Sequence, residues 1–318
     1  SEYPNIFSHV LGYTSRSDDE FKSMPEIPRS HWRDAELVYA HGLIKGRTGL
    51  EEIYEDHLSG SPGKRVYEIN ARGKLVQSLS FIEPSQGADL YTNLDIEAQK
   101  SAAKFLGNRR GAVVAIDLDS GGINVLYSSP TYSINQLSNG MNEDDFQTLI
   151  NDSDKPFFNR ALQGRYPPAS TIKPAIGMYG ILNNIVNWDF EMKDPGFFEL
   201  PETGRVFRGW RKGGHGKVNM HKAFLVSSNT YFFSLAYQAD IEELSNHLFS
   251  LGFGQKVCKD CYDEDQALVP TPEWKYSVMN AGWVKGDTVN LGIGQGYLLA
   301  TPMQLSLIHI SEPTRHES

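Results

Sequence analysis

The sequence predicts an α+β protein of two domains, in which a β-rich domain precedes a domain of helices packed against an antiparallel sheet. Its 318 residues, of which 40% are hydrophobic, suffice for two cores at the usual domain size of roughly 100–200 residues. Turn signals separate short strand-like segments up to about residue 95, where helical spacing of apolar residues begins. We therefore place the two domains at residues 1–95 and 96–304.

In the first domain, clusters of glycine, serine, proline and asparagine at residues 46–49, 59–63 and 70–73 predict turns. The segment 65–69 between two of these clusters predicts a strand. One amphipathic helix over about residues 50–58 interrupts the strands.

The second domain begins with a helix and continues with a buried-strand pattern at residues 111–117. Apolar runs at residues 175–182 and 241–251 predict further helices, which gives a layer of helices against a sheet. The first helix is predicted from the spacing of Ile96, Gln99, Ala103 and Leu106.

Residues 305–318 depart from this pattern. The run 305–315 resembles the in-frame translation of a sequencing-library adapter, and a genuine polar tail is the alternative. We expect the native sequence to be reliable only up to Gln304, so that the second domain is incomplete at its C-terminal end.

The formal net charge of −9 and the scattered positions of Lys and Arg argue against a nucleic-acid partner. No stretch approaches the roughly 20 apolar residues that span a bilayer, and no leader pattern follows Ser1. We expect either a soluble chain or an anchor that lies outside it.

Cys258 and Cys261 are the only cysteines, and they form a C-x-x-C pattern in a polar stretch. We favour a local disulfide in an exposed loop. Two structurally neutral thiols, or a metal or redox function, are the alternatives, although neither a helix N-terminus beside a strand nor two further ligands is visible.

Acyl transfer by a serine requires a base near the hydroxyl, because an unassisted hydroxyl is a weak nucleophile at neutral pH. A lysine three residues later on a helix lies on the same face, and burial lowers its pKa toward the working range. The S-x-x-K pattern meets both requirements.

This pattern occurs three times, at Ser61/Lys64, Ser101/Lys104 and Ser170/Lys173, so its context must decide. The first is interrupted by a Pro-Gly turn, and the second lies on the solvated side of a predicted helix. Ser170 follows an extended Tyr-Pro-Pro segment and opens an apolar helical run. We predict Ser170 as the nucleophile and Lys173 as its base; helix entry also aims backbone N–H groups at a developing oxyanion.

A second motif, S-x-N, lies 57 residues downstream at Ser227 and Asn229, between two apolar helical runs. Ser133 and Asn135 also match this pattern, so position in the chain again decides. A hydroxyl at Ser227 can relay a proton to the leaving amine, and the amide of Asn229 can hold substrate backbone.

In these two motifs and their order, the sequence resembles the class B penicillin-binding proteins of cell-wall elongation, and the resemblance covers nearly all of residues 1–304. Several blocks in one order carry the resemblance beyond the two motifs. They are residues 7–13, Gly49-Leu50-Glu51 with Tyr54-Glu55, residues 70–73, 159–161, 292–297 and 300–302.

The resemblance implies a β-rich pedestal domain of the dimerisation type followed by a β-lactamase-like transpeptidase domain. It implies a DD-transpeptidase, with no cofactor, that acylates Ser170 with peptidoglycan stem peptides ending in D-Ala-D-Ala and is inhibited by β-lactams. It also implies anchorage by an N-terminal transmembrane helix outside this chain, on the periplasmic face of the inner membrane. A membrane glycosyltransferase and scaffold proteins of the elongation machinery are the implied partners.

Some members of the family resemble metalloproteins near the active site. By spacing, the four ligand positions fall here on Asp194, Gly209, His215 and Ser228, of which only Asp194 and His215 retain ligating side chains. We therefore predict no tightly held zinc, and we interpret His215 as a structural or substrate-groove residue.

The glycine-rich segment 292–296 lacks the spacing of a nucleotide-binding loop. We interpret it instead as tight packing beside the catalytic cleft. Gly294, Gln295 and Gly296, together with His215, are the predicted substrate-binding residues.

Two other functions remain open, a β-lactamase-type hydrolase and a non-catalytic scaffold with the same fold. The family's third motif, K-S/T-G, occurs nowhere in the 318 residues. Since that motif contributes to the oxyanion hole, we expect the chain as printed to be a poor catalyst or inactive, by roughly 3–4 kcal/mol of lost transition-state stabilisation.

Overall fold

A computed structural model of the chain describes residues 3–16, 44–61, 63–72, 74–261 and 263–307. The chain forms two compact units that interleave along the sequence. Unit 1 consists of residues 1–111, 123–158 and 260–262, and unit 2 of residues 112–122, 159–259 and 263–318. The predicted domains, 1–95 and 96–304, are continuous stretches of sequence, whereas the two units are defined by contacts and each combines several segments. The predicted boundary between residues 95 and 96 therefore stays a prediction.

Three predictions fall partly outside the described residues. The predicted turns at residues 59–63 and 70–73 include Pro62 and Gly73, which lie outside the described residues. Of the predicted adapter segment 305–318, the structure describes only residues 305–307, and the first two of these end the helix Pro302–Ser306. Within the described part of the chain, no helix is long and apolar enough to cross a bilayer.

Short strands occur in both units, and those with a defined register pair antiparallel in twos. The predicted strand at residues 65–69 is confirmed, and the predicted strand at 111–117 is present but half-buried or exposed rather than buried, because it is not covered on both faces. The strands are β1 (Thr14–Arg16), β2 (Ile44–Gly46), β3 (Lys64–Ile69), β4 (Leu75–Ile82), β5 (Gly111–Ile116), β6 (Ile123–Ser129), β7 (Met192–Asp194), β8 (Phe197–Glu199), β9 (Val206–Arg208) and β10 (Gly216–Val218).

The predicted helices are all present, although the one expected at residues 50–58 is broken at Tyr54 into two short helices. The helices are α1 (Ser8–Leu11), α2 (Gly49–Ile53), α3 (Glu55–Leu58), α4 (Ile96–Leu106), α5 (Ile134–Ser138), α6 (Glu143–Asn151), α7 (Arg160–Gln163), α8 (Lys173–Leu182), α9 (Met220–Leu225), α10 (Asn229–Gln238), α11 (Ile241–Ser250), α12 (Pro272–Met279), α13 (Lys285–Leu291) and α14 (Pro302–Ser306).

Unit 1 packs α4 against β6, and a buried glutamine fixes the contact. The Gln99 amide donates to the carbonyls of Ile6 and Leu126 at 2.8 and 2.9 Å, and its oxygen accepts the Leu126 N–H at 3.1 Å. Because these bonds satisfy the whole amide, Gln99 is buried while Ile96, predicted on the same apolar face, is 47% exposed.

Unit 2 holds the larger hydrophobic core, in which α8 and α10 are central. Both helices are apolar around most of their circumference, as expected for buried helices. Small residues allow the close packing: a side chain at Gly180 would lie 2.7 Å from Leu235 on α10. This core fixes the positions from which the candidate site is built.

Cys258 and Cys261 form a disulfide, which confirms the favoured of the three interpretations. The loop is less exposed than predicted, since Cys261 is 7% exposed. The buried carboxylate of Glu264 accepts the N–H groups of Val257 and Cys258 at 2.7 and 2.8 Å and so anchors the start of this loop.

Candidate active site

Ser170 lies on a 3₁₀ turn, Ala169–Ile172, that leads directly into α8. The preceding residue, Ala169, has a φ of 50°, in the left-handed region that costs a non-glycine residue about 1–2 kcal/mol. The Ser170 side chain is exposed, whereas Lys173 at the start of α8 is 2% exposed. The predicted entry from a loop into a buried helix is confirmed, with a 3₁₀ turn immediately before the α-helix.

Gly294 supports the strained residue before the nucleophile. Its carbonyl accepts the Ala169 N–H at 2.9 Å, and its own φ is 68°. A Cβ at position 294 would lie 2.2 Å from the Ala169 carbonyl oxygen, so only glycine fits there. Gly294 is therefore tightly packed beside the nucleophile, as predicted for this segment. Contacts of Gly294, Gln295 and Gly296 with a substrate stay a prediction.

Ser227 lies at the junction of α9 and α10. The Ser227 N–H donates to the Phe224 carbonyl at 3.1 Å, and the Ser228 N–H donates to the Ala223 carbonyl at 2.9 Å. This pair of bonds is a Schellman motif, in which the position of Ser227 is left-handed and usually occupied by glycine. Ser227 adopts that conformation, with φ 49°, and Ser228 then caps α10 by accepting the Tyr231 N–H at 3.2 Å.

The two turns meet at the Lys173 amino group. Lys173 Nζ donates to Asn229 Oδ1 at 2.8 Å, to the Ser227 carbonyl at 3.0 Å and to Ser227 Oγ at 3.1 Å. Ser227 Oγ in turn donates to Ser170 Oγ at 2.9 Å. The four residues predicted from the S-x-x-K and S-x-N motifs are therefore brought together, and Lys173 is linked to Ser170 through the Ser227 hydroxyl.

Burial lowers the pKa of Lys173 to about 8, from an ordinary value of 10.5. Its three acceptors are neutral oxygens, so they satisfy the N–H groups without the full charge of a carboxylate partner. The ring of Phe232 also lies 5.3 Å from Nζ. A neutral amine is thus accessible near physiological pH, as a general base requires.

The competing motif matches lie in other settings. Ser101 is on the exposed side of α4, as predicted, and Ser61 pairs with Ser85 outside any helix. Ser133 caps α5 by accepting the Gln136 N–H at 3.4 Å. None of the three is positioned by the structure as Ser170 and Ser227 are.

The four positions considered for a metal do not form a ligand set. The Ser228 hydroxyl donates to Asp194 Oδ2 at 2.7 Å, and Asp194 Oδ1 accepts the Gly196 N–H at 2.7 Å. His215 Nδ1 is buried and has no hydrogen-bond partner in the part of the chain that the structure describes, and the His215 ring centroid lies 5.2 Å from that of Trp210. Among the described residues, no group of three or more His, Cys, Asp and Glu could hold a metal ion.

Trp210 is a further residue of the site, and none of the sequence motifs indicates it. Its indole N–H lies 3.2 Å from both the Val226 and the Ser227 carbonyl oxygens. A lone tryptophan between arginines in a polar loop is a weak signal, and no sequence pattern connects it to a carbonyl 17 residues away.

A serine that precedes a buried lysine by one helical turn, with a second serine and an asparagine from a neighbouring turn, defines a class of enzymes that form acyl-serine intermediates. The chain matches the penicillin binding protein transpeptidase domain family over residues 111–308 and the penicillin-binding protein dimerisation domain over residues 2–92. It belongs to the penicillin-binding protein transpeptidase family. The predictions of family, fold class and pedestal are confirmed.

Three relatives show the extent of the similarity. The peptidoglycan D,D-transpeptidase MrdA of Acinetobacter baumannii is 42% identical over 308 residues, which cover 96% of this chain and 44% of that protein. The complex between penicillin-binding protein 2 and MreC from Helicobacter pylori matches with a TM-score of 0.81 and 33% identity, over 94% of this chain and 54% of that one. Pseudomonas aeruginosa PBP2 in complex with WCK 5153 matches with a TM-score of 0.79 and 32% identity, over 96% and 62% of the two chains. The chain spans about half the length of the curated relatives that it matches.

Proposed function

We propose that this chain carries the acylation site of a peptidoglycan DD-transpeptidase that cross-links stem peptides during cell-wall elongation. The observation that carries the proposal is the hydrogen-bonded series of Lys173, Ser227 and Ser170, with Lys173 buried and its pKa near 8. The Acinetobacter baumannii relative, named a peptidoglycan D,D-transpeptidase, supports the substrate class.

In the first half-reaction, neutral Lys173 directs two N–H groups to the Ser227 carbonyl and to Asn229 Oδ1, and its lone pair accepts the Ser227 hydroxyl proton. Ser227 Oγ then takes the proton of Ser170 as Ser170 Oγ attacks the carbonyl carbon of the penultimate D-Ala. The new bond joins Oγ to that carbon. The bond to the nitrogen of the terminal D-Ala breaks, and that nitrogen receives the proton back from Lys173 through Ser227.

In the second half-reaction, an amine of a neighbouring stem peptide attacks the acyl-Ser170 carbonyl. The amine loses a proton to the same relay, and Ser170 Oγ leaves and is protonated by it. Asn229 accepts from Lys173 through Oδ1, so its amide NH₂ can donate to a carbonyl of the substrate backbone. β-Lactams acylate Ser170 by the same first step, since they resemble the D-Ala-D-Ala end.

We further propose that the site works on the periplasmic face of the inner membrane, held there by an N-terminal transmembrane anchor. A membrane glycosyltransferase and a scaffold protein of the elongation machinery are the proposed partners. The complex of the Helicobacter pylori relative with MreC supports a scaffold partner.

Labelling with a fluorescent penicillin tests the proposal against the hydrolase and scaffold alternatives. The chain is incubated for hours at high penicillin concentration, because we expect slow acylation, and unbound label is then removed. Label that persists on the unchanged chain and is absent from Ser170→Ala supports the transpeptidase. Label that appears and then decays would indicate a hydrolase. A chain that never labels, even over a time that would reveal acylation slowed by about 10³-fold, would indicate a scaffold.

The variant Ser101→Ala is the matched control. Ser101 has the same S-x-x-K spacing but lies exposed on α4, so its removal is expected to leave labelling unchanged. Loss of label in this variant would contradict the assignment of Ser170.

A further inference from the structure

Trp210 lies in the loop that connects β9 to β10, and its ring is 65% exposed. The ring contacts His215 at a centroid distance of 5.2 Å, but most of its surface faces solvent, so packing alone does not fix its orientation. Its indole N–H nevertheless points at the end of α9, where it is shared between the Val226 and Ser227 carbonyl oxygens at 3.2 Å each.

The Val226 carbonyl is among those that a helix end leaves without an intrahelical partner, and the Ser227 carbonyl follows it directly in the chain, just beyond the helix. The Schellman bonds satisfy the carbonyls of Ala223 and Phe224 at the end of α9 but not the later ones. Trp210 therefore adds a side-chain donor to this helix end, and it does so at the residue whose hydroxyl contacts Ser170.

Lys173 alone would hold the Ser227 carbonyl with a strength that changes during the reaction, because its N–H bond to that carbonyl is charge-assisted only while the amine is protonated. As an ammonium group it has three N–H donors, and as the neutral base it has two and a lone pair. The Ser227 carbonyl must keep its position through that change, because Ser227 Oγ exchanges protons with both neighbours. The indole N–H does not titrate in this range, so its bond is the same in both states.

We propose that Trp210 is a positioning residue, whose indole N–H holds Ser227 in the left-handed conformation that places its hydroxyl between Lys173 and Ser170. The inference rests on the proposed function and adds a residue to it. It differs from a role of the exposed ring in ligand contact, because it depends on the N–H group and acts only through Ser227.

The test measures the acylation rate constant at Ser170 by intact-mass spectrometry over a range of penicillin concentrations, which separates noncovalent affinity from the acylation step. Trp210→Phe keeps an aromatic ring and removes the N–H. We expect it to slow acylation about fivefold to tenfold, the effect of one hydrogen bond, with unchanged noncovalent affinity. Replacement of Trp210 by benzothienylalanine, which exchanges only the N–H for sulfur, is expected to give the same result.

A double-mutant cycle identifies the route of the effect. If Trp210 acts through Ser227, Trp210→Phe has no further effect in the Ser227→Ala background. Trp188→Phe is the matched control, since Trp188 is also an exposed tryptophan of unit 2, at 61%, and its rate is expected to equal that of the unchanged chain.

Three outcomes would overturn the inference while leaving the proposed function intact. In the first, the unchanged chain labels at Ser170 and Trp210→Phe labels at the same rate. In the second, Trp210→Phe slows Ser227→Ala as much as it slows the unchanged chain. In the third, Trp210→Phe changes the noncovalent affinity alone, as the loss of a ring contact would. Absence of any label at Ser170 in the unchanged chain would overturn the proposed function and this inference together.

Discussion

Ala169 and Ser227 share a left-handed backbone conformation, with φ of 50° and 49°, and differ in what supports it. Ala169 is held by one backbone contact with Gly294, which excludes any side chain at that position. Ser227 is held by the cap of α9, the Lys173 amine and the indole of Trp210.

The difference reflects what each turn must do. The first turn, Ala169–Ile172, presents the nucleophile Ser170, whose position is fixed, and a rigid backbone contact suffices for it. The second turn, Val226–Ser228, carries the Ser227 hydroxyl, which accepts and donates protons, and side-chain donors hold the Ser227 carbonyl. Strain at both positions is located beside the reacting groups, as expected where backbone strain serves function.

Lys173 is the residue common to both turns, so its loss should have the largest effect. Lys173→Met removes the base and the donor to Ser227, and we expect acylation of Ser170 to slow by about 10³-fold, within the range of general-base catalysis. Intact-mass spectrometry at pH 8 measures the rate. Lys104→Met, at the exposed S-x-x-K match on α4, is the control, and an equal loss in that variant would show that the effect is not specific to the site.

Two variants of Ser227 distinguish the role of its hydroxyl from the role of its left-handed backbone conformation. Ser227→Ala and Ser227→Gly both remove the relay, and we expect each to slow acylation by about 10²-fold. Glycine also relieves the left-handed strain, so Ser227→Gly should be more stable than Ser227→Ala by about 1 kcal/mol in the free energy of urea unfolding. Equal stabilities of the two variants would contradict a strained Ser227.

The variant Gly294→Ala tests whether the contact between Gly294 and Ala169 supports the first turn. A Cβ at position 294 would lie 2.2 Å from the Ala169 carbonyl oxygen, whereas a Cβ at Gly213, which also has positive φ, would meet no atom of the described residues within 4 Å. Both alanine variants carry the conformational cost, and only Gly294→Ala carries the steric one. We expect Gly294→Ala to be less stable than Gly213→Ala by about 2 kcal/mol and to acylate about tenfold more slowly.

Unfolding in urea and intact-mass kinetics give the two quantities on the same samples. Similar values for the two glycine variants would show that the contact between Gly294 and Ala169 is dispensable. The support of the first turn would then have to be sought elsewhere.

The pH dependence of acylation gives the smallest expected effect. With a pKa of about 8, the neutral fraction of Lys173 is about a tenth at pH 7 and one half at pH 8. Because the neutral amine is the base, the rate should rise about fivefold over that interval and about twofold more before it levels off above about pH 9. The Lys173→Met variant should show no such rise, and a rate of the unchanged chain that is flat or falls with pH would exclude Lys173 as the base.

The first turn was largely predictable from the sequence, and the second only in part. Local patterns located Ser170, Lys173, Ser227 and Asn229, because the S-x-x-K and S-x-N spacings act over one helical turn or one loop. The glycine spacing at residues 292–296, which does not fit a nucleotide-binding loop, predicted tight packing beside the site, although it did not identify Ala169 as the residue that Gly294 contacts.

The contributions that sequence could not predict depend on contacts between distant segments. The bond from Trp210 to the Ser227 carbonyl joins residues 17 positions apart in sequence, and its acceptor is a backbone group with no signature. Burial of Gln99 in place of Ile96 likewise depends on carbonyls of Ile6 and Leu126 that no periodicity reveals. Hydrophobic spacing predicts which face of a helix is buried, but a polar side chain on that face can be more deeply buried than an apolar one when its hydrogen bonds are satisfied.

Tandem mass spectrometry of the penicillin adduct tests the central claim most directly, that Ser170 is the nucleophile served by this relay. The unchanged chain is acylated to saturation, digested with protease, and the modified residue is located by fragmentation. We predict one adduct, on Ser170, that persists after removal of free penicillin. An adduct on Ser61, Ser101 or any other residue, or no adduct at all, would contradict the proposed site.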